Sequence, residues 1–249
     1  MKLDIVYQGD CLELMPKYIE DKSIDMIFCD LPYGTTNCKW DSIIPLNNLW
    51  SEYKRIIKDN GAILLFAQTP FDKILGVSNL KMLRYEWIWE KTQATGHLNA
   101  KKMPMKAHEN ILVFYKKLPI YNPIITHGHV RKIASAKNRA DCIIRRNNTD
   151  DIYNNEYSDK ISTYDSTSRY PRSVIKFSSD KQKNNLHKVQ KPLALIEYFI
   201  NTYTNKGDIV LDNAAGSGTT GLACKNLDRR YIMMEKDSEI FETCKNRVS

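Results

Sequence analysis

The sequence predicts an α/β fold: a doubly wound, largely parallel sheet in permuted chain order, interrupted by a loop-rich insert. Three observations predict it. Apolar runs of strand length alternate with helical stripes over residues 1–117 and return over residues 187–249. Residues 118–186 lose those runs and turn polar and basic. A glycine-rich turn of the nucleotide-binding kind lies near the end of the chain, so most strands of such a sheet must come before it. A length of 249 residues suits one α/β domain with an insert, and a chain of this size buries roughly 70% of its unfolded surface.

The elements follow in order. Leu3–Tyr7 reads as a strand and Cys11–Ile19 as a short helix. Ile24–Cys29 is apolar throughout except Asp25, as in a strand buried on both faces. Leu46–Lys58 carries a helical stripe of Leu49, Tyr53, Ile56 and Ile57, with Gly61 read as part of its exit. Ala62–Phe66 is a second buried strand, and Pro70–Val77 a helix opened by proline. Leu83–Trp89 and Asn110–Tyr115 are strands joined by a polar loop with Gly96, Lys101, Lys102 and Pro104. After the insert, Leu193, Ile196, Phe199, Ile200 and Tyr203 form one helical face that ends at Lys206-Gly207. Ile209–Leu211 is a strand, Thr219–Leu227 a helix, Tyr231–Met234 a strand and Glu239–Val248 a closing helix capped by Asp237 or Ser238.

Composition excludes several classes. No apolar run approaches the ~18 residues of a membrane span. The start, Met1-Lys2-Leu3-Asp4, lacks the pattern of a signal peptide, so a cytoplasmic location is expected. None of the six cysteines forms a CxxC pair, which disfavours a zinc site or a disulfide framework; no metal is expected. Net charge is +8, and residues 118–186 hold 12 Lys and Arg against 7 Asp and Glu. About two thirds of the excess sits in little more than a quarter of the chain, which suits a polyanionic partner.

The glycine turn is Leu211-Asp212-Asn213-Ala214-Ala215-Gly216-Ser217-Gly218-Thr219-Thr220-Gly221. Gly216, Gly218 and Gly221 fit G-x-G-x-x-G between a strand and a helix, and Glu235 ends the next strand 19 residues after Gly216. That is the Rossmann-like layout for an adenosine-type cofactor. The glycines admit the ligand to the backbone, the helix start offers free N–H groups, and the carboxylate accepts ribose hydroxyls. Only 28 residues follow Gly221, too few for the further strands of a dinucleotide domain. In the permuted sheet the last strand then lies near the first, which ends at Gly9-Asp10. Asp10 reads either as a cofactor ligand or as the cap of the following helix.

Ile24–Cys29 delivers Asp30-Leu31-Pro32-Tyr33-Gly34 at its carboxyl end, where open α/β sheets place ligands. Alone, the turn also reads as a plain strand terminator. It has the parts that methyl transfer to an exocyclic base amine needs. Tyr33 can stack on a flipped base, and the Asp30 carboxylate with a neighbouring carbonyl can accept the amino hydrogens. The rest is positioning of two bound reactants.

Four motifs in one order carry a resemblance: Asp30-Leu31-Pro32-Tyr33, the basic insert, His187-Lys188-Val189-Gln190-Lys191-Pro192, and Asp212 to Gly218. The chain resembles the β-group, permuted amino DNA methyltransferases that use S-adenosylmethionine. The resemblance implies a permuted doubly wound Rossmann-like methyltransferase sheet with a target-recognition insert. The catalytic domain would comprise residues 1–117 and 187–249, and the target-recognition insert residues 118–186. It implies catalysis by Asp30, Pro32 and Tyr33, and cofactor binding by Asp10, Asp212, Gly216, Gly218, Thr219 and Glu235. Gln190 and Lys191 would start a helix flanking the cofactor, or simply cap it. Asp in the first motif position goes, in the family, mostly with N6-adenine.

Two departures stand out. Leu31 replaces the family's first Pro, and Asn213-Ala214-Ala215 stands where Pro-Phe-x is usual, which removes an apolar wall beside the cofactor.

The insert interleaves Arg and Lys with Tyr121, Tyr153, Tyr157, Tyr164 and Tyr170, as suits duplex DNA. Arg145 and Arg146 are the first candidates for a phosphate clamp, and Lys101 and Lys102 the second. A second copy of the chain is an expected partner, because 249 residues is small for covering a duplex site alone. The family's restriction–modification context adds a cognate endonuclease. Alternatives kept open are an N4-cytosine or RNA methyltransferase of the same fold, a nicotinamide-dependent oxidoreductase, and a DNA-binding module with a decayed cofactor site.

Overall fold

A computed structural model describes residues 1–34, 42–134, 164–178 and 190–249. They form two compact units: Met1–Asn122 with Arg172–Ser249, and Pro123–Pro171. The larger unit contains β1 (Ile5–Gln8), α1 (Cys11–Tyr18), β2 (Ile24–Cys29), α2 (Leu46–Ile56), β3 (Ile57–Ala67), α3 (Phe71–Ser78), β4 (Leu83–Thr95) and β5 (Lys106–Phe114). In the smaller unit, β6 (Lys132–Ala134) pairs antiparallel with β7 (Tyr164–Ser166), and Arg131 bridges to Asp165 at 2.5 Å. The larger unit resumes with β8 (Val174–Phe177), α4 (Leu193–Tyr203), β9 (Ile209–Asp212), α5 (Thr219–Asn226), β10 (Arg230–Glu235) and α6 (Ser238–Val248).

The smaller unit is narrower than the insert read from composition. Val174–Phe177 pairs in parallel with β4, and the Asn122 N–H donates to the Thr202 carbonyl at 2.7 Å, so these flanks of the predicted insert belong to the larger unit.

The main sheet runs β1-β10-β9-β2-β3-β5-β4-β8. Strands β1, β10, β9, β2 and β3 are parallel, and β5 is antiparallel to both neighbours. The last two parallel strands of the chain therefore sit between its first two. Alternate residues of the central strands feed two apolar layers. Ile27, Cys29, Ile63 and Leu65 face α1, α2 and α3, whereas Met26, Phe28, Leu64 and Phe66 face α4, α5 and α6. Burial on both faces is why these strands read as continuous apolar runs. No helix among the described residues is long and apolar enough to cross a membrane.

Two local expectations are revised. Helix α2 ends at Ile56 and passes straight into β3, which starts at Ile57. Gly61 therefore lies inside a strand and ends no helix. Its glycine identity follows from crowding: a Cβ there would sit 2.8 Å from the Asp25 carbonyl oxygen and 2.7 Å from the Ile57 side chain. Strand β4 also extends to Thr95, well past the predicted end at Trp89.

A Gly61→Ala substitution is expected to destabilise the protein by about 1–3 kcal/mol, the range for overpacking a close-packed site. Urea denaturation would measure it, and a midpoint equal to wild type would contradict the crowding.

Candidate active site

The parallel strands deliver their last residues to one edge of the sheet. Asp30 follows β2, Asp212 ends β9, Glu235 ends β10, and Asp10 follows β1. The carboxyl edge of such a sheet, where connections leave to opposite faces, is where α/β proteins bind ligands. A cavity of about 830 Å³ opens there. Asp10, Asp30, Pro32, Tyr33, Asp212, Gly216, Thr219 and Glu235 all line it. Gly218 does not; it starts α5 from the left-handed region (φ 78°), with Cys244 Sγ only 2.9 Å from where a Cβ would stand. Lys101 and Lys102 are exposed, in the turn after a short 3₁₀ segment at His97–Asn99, and do not line the cavity. Arg145, Arg146 and His187 to Val189 lie outside the described residues.

The four strand-end carboxylates around the cavity repel one another, and each is held differently. Asp10 caps α1 by accepting from the Leu12 N–H at 2.9 Å, and its other oxygen bridges to Lys236 at 3.0 Å. Burial would raise its pKa, but the Lys236 and Leu12 contacts outweigh burial and hold it below the ordinary value. Capping and cavity lining thus coexist in one side chain. Glu235 accepts from the Gly216 N–H at 2.8 Å and the Asp237 N–H at 2.9 Å, which ties the glycine turn to the end of β10. Burial still leaves its pKa raised. Asp212 accepts from the Thr220 hydroxyl at 2.6 Å and the Ala214 N–H at 3.2 Å; burial nevertheless pushes its pKa up to about 6.

Asp30 is held by charge. Its Oδ2 lies 2.6 Å from Lys191 Nζ, and its Oδ1 accepts from the Tyr33 hydroxyl at 2.6 Å. Burial, then the charges of Asp30 and Glu109, push the Tyr33 phenol well above its ordinary pKa, so it remains a hydrogen-bond donor. Its ring lies 5.3 Å from that of Phe71.

Sequence reasoning missed Lys91 and Glu109, and treated Lys191 only as a helix-start residue. The first two carried a signal. Glu109 shares the inward face of β5 with Ile111 and Val113, and Lys91 follows Trp87 and Trp89 on the same face of β4. A charge on the apolar phase of a period-2 strand needs a buried partner. Asn213 was missed as well. Its Oδ1 accepts from the buried Tyr53 hydroxyl at 2.5 Å, and its Nδ2 is buried with no hydrogen-bond partner.

Strand-end carboxylates, a glycine turn opening a helix and a cavity between them define the class: an α/β protein with a site for a nucleoside-type ligand. The DNA methylase family of N6 and N4 amino methyltransferases matches residues 24–246, and the chain belongs to that family. The type II methyltransferase M2.MboI of Moraxella bovis is 28% identical over 269 positions, covering 97% of this chain and 86% of its own. The DNA adenine methyltransferase YhdJ of Escherichia coli K12 is 27% identical over 250 positions, covering 94% of this chain and 79% of its own. The solved M1.HpyAVI–SAM complex superposes with a TM-score of 0.65 at 25% identity, covering 98% of both chains. Membership of this family sets aside the oxidoreductase alternative.

Asp212 yields a pH prediction. Its folded-state pKa of about 6 lies above its ordinary value of 3.8, so between those values the folded chain holds a proton that the unfolded chain releases. Its contribution to stability therefore falls as pH rises through that window. The stability difference between wild type and Asp212→Asn should shift by about 3 kcal/mol between pH 3.5 and 6.5, against wild type at the higher pH. Urea denaturation at both pH values measures it; a constant difference would contradict the raised pKa.

Proposed function

We propose that the chain moves a methyl group from S-adenosylmethionine to the N6 amine of an adenine flipped out of duplex DNA. The observation that carries this reading is that Asp30 and the glycine turn line one cavity, so an amine acceptor and a nucleoside cradle stand side by side. The site fits the cofactor. A Cβ at Gly216 would meet no atom within 4 Å, so the space over that backbone is open, and the unpartnered Asn213 Nδ2 lines the same cavity.

Asp212, Gly216, Gly218 and Thr219 would hold the methionine end, Glu235 the ribose and Asp10 the adenine side. When bound, S-adenosylmethionine supplies a sulfonium methyl group. The chain's own residues do the positioning. Asp30 accepts an amino hydrogen of the target base, and the carbonyl of Leu31 or Pro32 accepts the other. Those bonds turn the nitrogen lone pair out of ring conjugation and towards the methyl. Pro32 fixes the turn, and Tyr33 stacks on the flipped base. Holding two reactants in line is worth on the order of 7–11 kcal/mol in ideal cases.

Adenine is preferred to cytosine because Asp opens the Asp30 motif and because the relative YhdJ is an adenine methyltransferase. The motif order, with the glycine turn last, supports the permuted β group. The basic insert is assigned to target recognition, with Arg145 and Arg146 on phosphates. Kinship to type II methyltransferases supports a cognate endonuclease and a restriction–modification role. A homodimer would widen the surface for a duplex site.

Labelled methyl transfer to unmethylated duplex DNA, followed by nucleoside chromatography, tests the reading. Wild type should yield N6-methyladenine. Asp30→Ala should lower the rate on the order of 100- to 1,000-fold, the scale of losing one preorganised hydrogen-bonding group at a reacting centre. N4-methylcytosine would move the target to cytosine, and label in RNA alone would replace the substrate.

A further inference from the structure

Beside Asp30 lies a row of alternating charges that the methylation chemistry leaves unassigned. Lys91 Nζ is 2.5 Å from Glu109 Oε1, Lys191 Nζ is 3.1 Å from Glu109 Oε2, and Lys191 Nζ is 2.6 Å from Asp30 Oδ2. The inner members are buried: side-chain exposure is 12% for Lys191 and 6% for Glu109. Burial alone would drive Lys191 to give up its proton, but Asp30 and Glu109 outweigh burial and raise its pKa above the ordinary value. Glu109 is the mirror case. Burial would protonate it, while Lys191 and Lys91 keep it ionised.

Buried ion pairs of this kind are poor stabilisers, because desolvation consumes most of the Coulombic gain. An array that contributes little stability yet borders the reacting group points to positioning. Its geometry says what is positioned. Lys191 leaves the chain just before Pro192 and α4, and its Nζ lies 5.0 Å from the Phe66 ring centroid. Asp30 thus has one oxygen fixed by a buried cation and the other bonded to a neutral phenol. A target amine displaces the phenol far more readily than the ammonium.

We propose that Lys191 is a positioning residue for methyl transfer: it fixes Asp30 through Oδ2, so that Oδ1 is offered to the target amine. Glu109, anchored by Lys91, fixes Lys191 in turn. The Tyr33 hydroxyl is the resident donor to Oδ1 until the base enters. This assignment rests on the methyltransferase reading above.

The test is single-turnover methyl transfer for wild type, Lys191→Met, Lys191→Arg and Glu109→Gln, with calorimetric S-adenosylmethionine affinity and melting temperature for each. Lys191→Met should keep cofactor affinity within about threefold and lose roughly 100-fold in rate. Lys191→Arg should restore roughly a tenth or more of the rate. Glu109→Gln should cost about tenfold without changing cofactor affinity, and carries the test if Lys191→Met does not fold. An unchanged rate in Lys191→Met or in Glu109→Gln overturns the assignment. So does a loss that tracks cofactor affinity and is not relieved by Arg. A wild type that methylates no nucleic acid overturns the methyltransferase reading itself, which separates the two failures.

Discussion

The structure depends on one topological constraint: β9 and β10, from the end of the chain, lie in parallel between β1 and β2 from its start. Four strand ends then open onto a single cavity, and each carries a carboxylate. Without compensation, such crowding would protonate the acids or spread the strands apart. The chain compensates in four ways. Lys236 and a helix cap serve Asp10, two backbone N–H groups serve Glu235, a hydroxyl and partial protonation serve Asp212, and a buried ammonium serves Asp30.

These solutions differ because the tasks differ. Glu235 holds the glycine turn directly through Gly216, so the part of the loop open to a ligand is fastened to β10 before anything binds. Helix α6 adds a second fastening: Arg247 donates to the Ser217 carbonyl at 3.2 Å and to the Thr219 hydroxyl at 3.0 Å. The cradle is thus rigid from both sides. Asp30 instead has one oxygen on a buried ammonium and the other on a neutral phenol, the one that the proposed reaction would give up to an incoming amine. A preorganised cradle and an exchangeable acceptor would suit the proposed reaction, in which one ligand waits for another.

Much of this was legible in the sequence because local chemistry and global position agreed. The central strands announced themselves through burial on both faces, and the glycine turn through its strand, helix and spaced Glu235. Eight of the nine proposed catalytic and cofactor residues meet on the cavity wall, since strand ends are where a parallel sheet gathers side chains. What stayed hidden was long-range. Lys91, Glu109 and Lys191 come from β4, β5 and the start of α4, and no spacing rule links them. The pairing of Val174–Phe177 with β4 was hidden too, because four residues amid polar sequence carry no clear period. Gly61 misled because a glycine near a helix end ordinarily means a cap, whereas here the Asp25 carbonyl excludes any Cβ.

The central claim is that one cavity holds the methyl donor and the target amine together. A bisubstrate analogue, with the N6 of an adenine nucleoside joined by a short linker to the sulfur position of the cofactor, tests it most directly. Calorimetry should show it binding more tightly than S-adenosylmethionine, displaced by the cofactor, and losing its advantage in Asp30→Ala. An analogue that binds no better than the cofactor, with equal affinity in wild type and Asp30→Ala, would contradict the shared cavity.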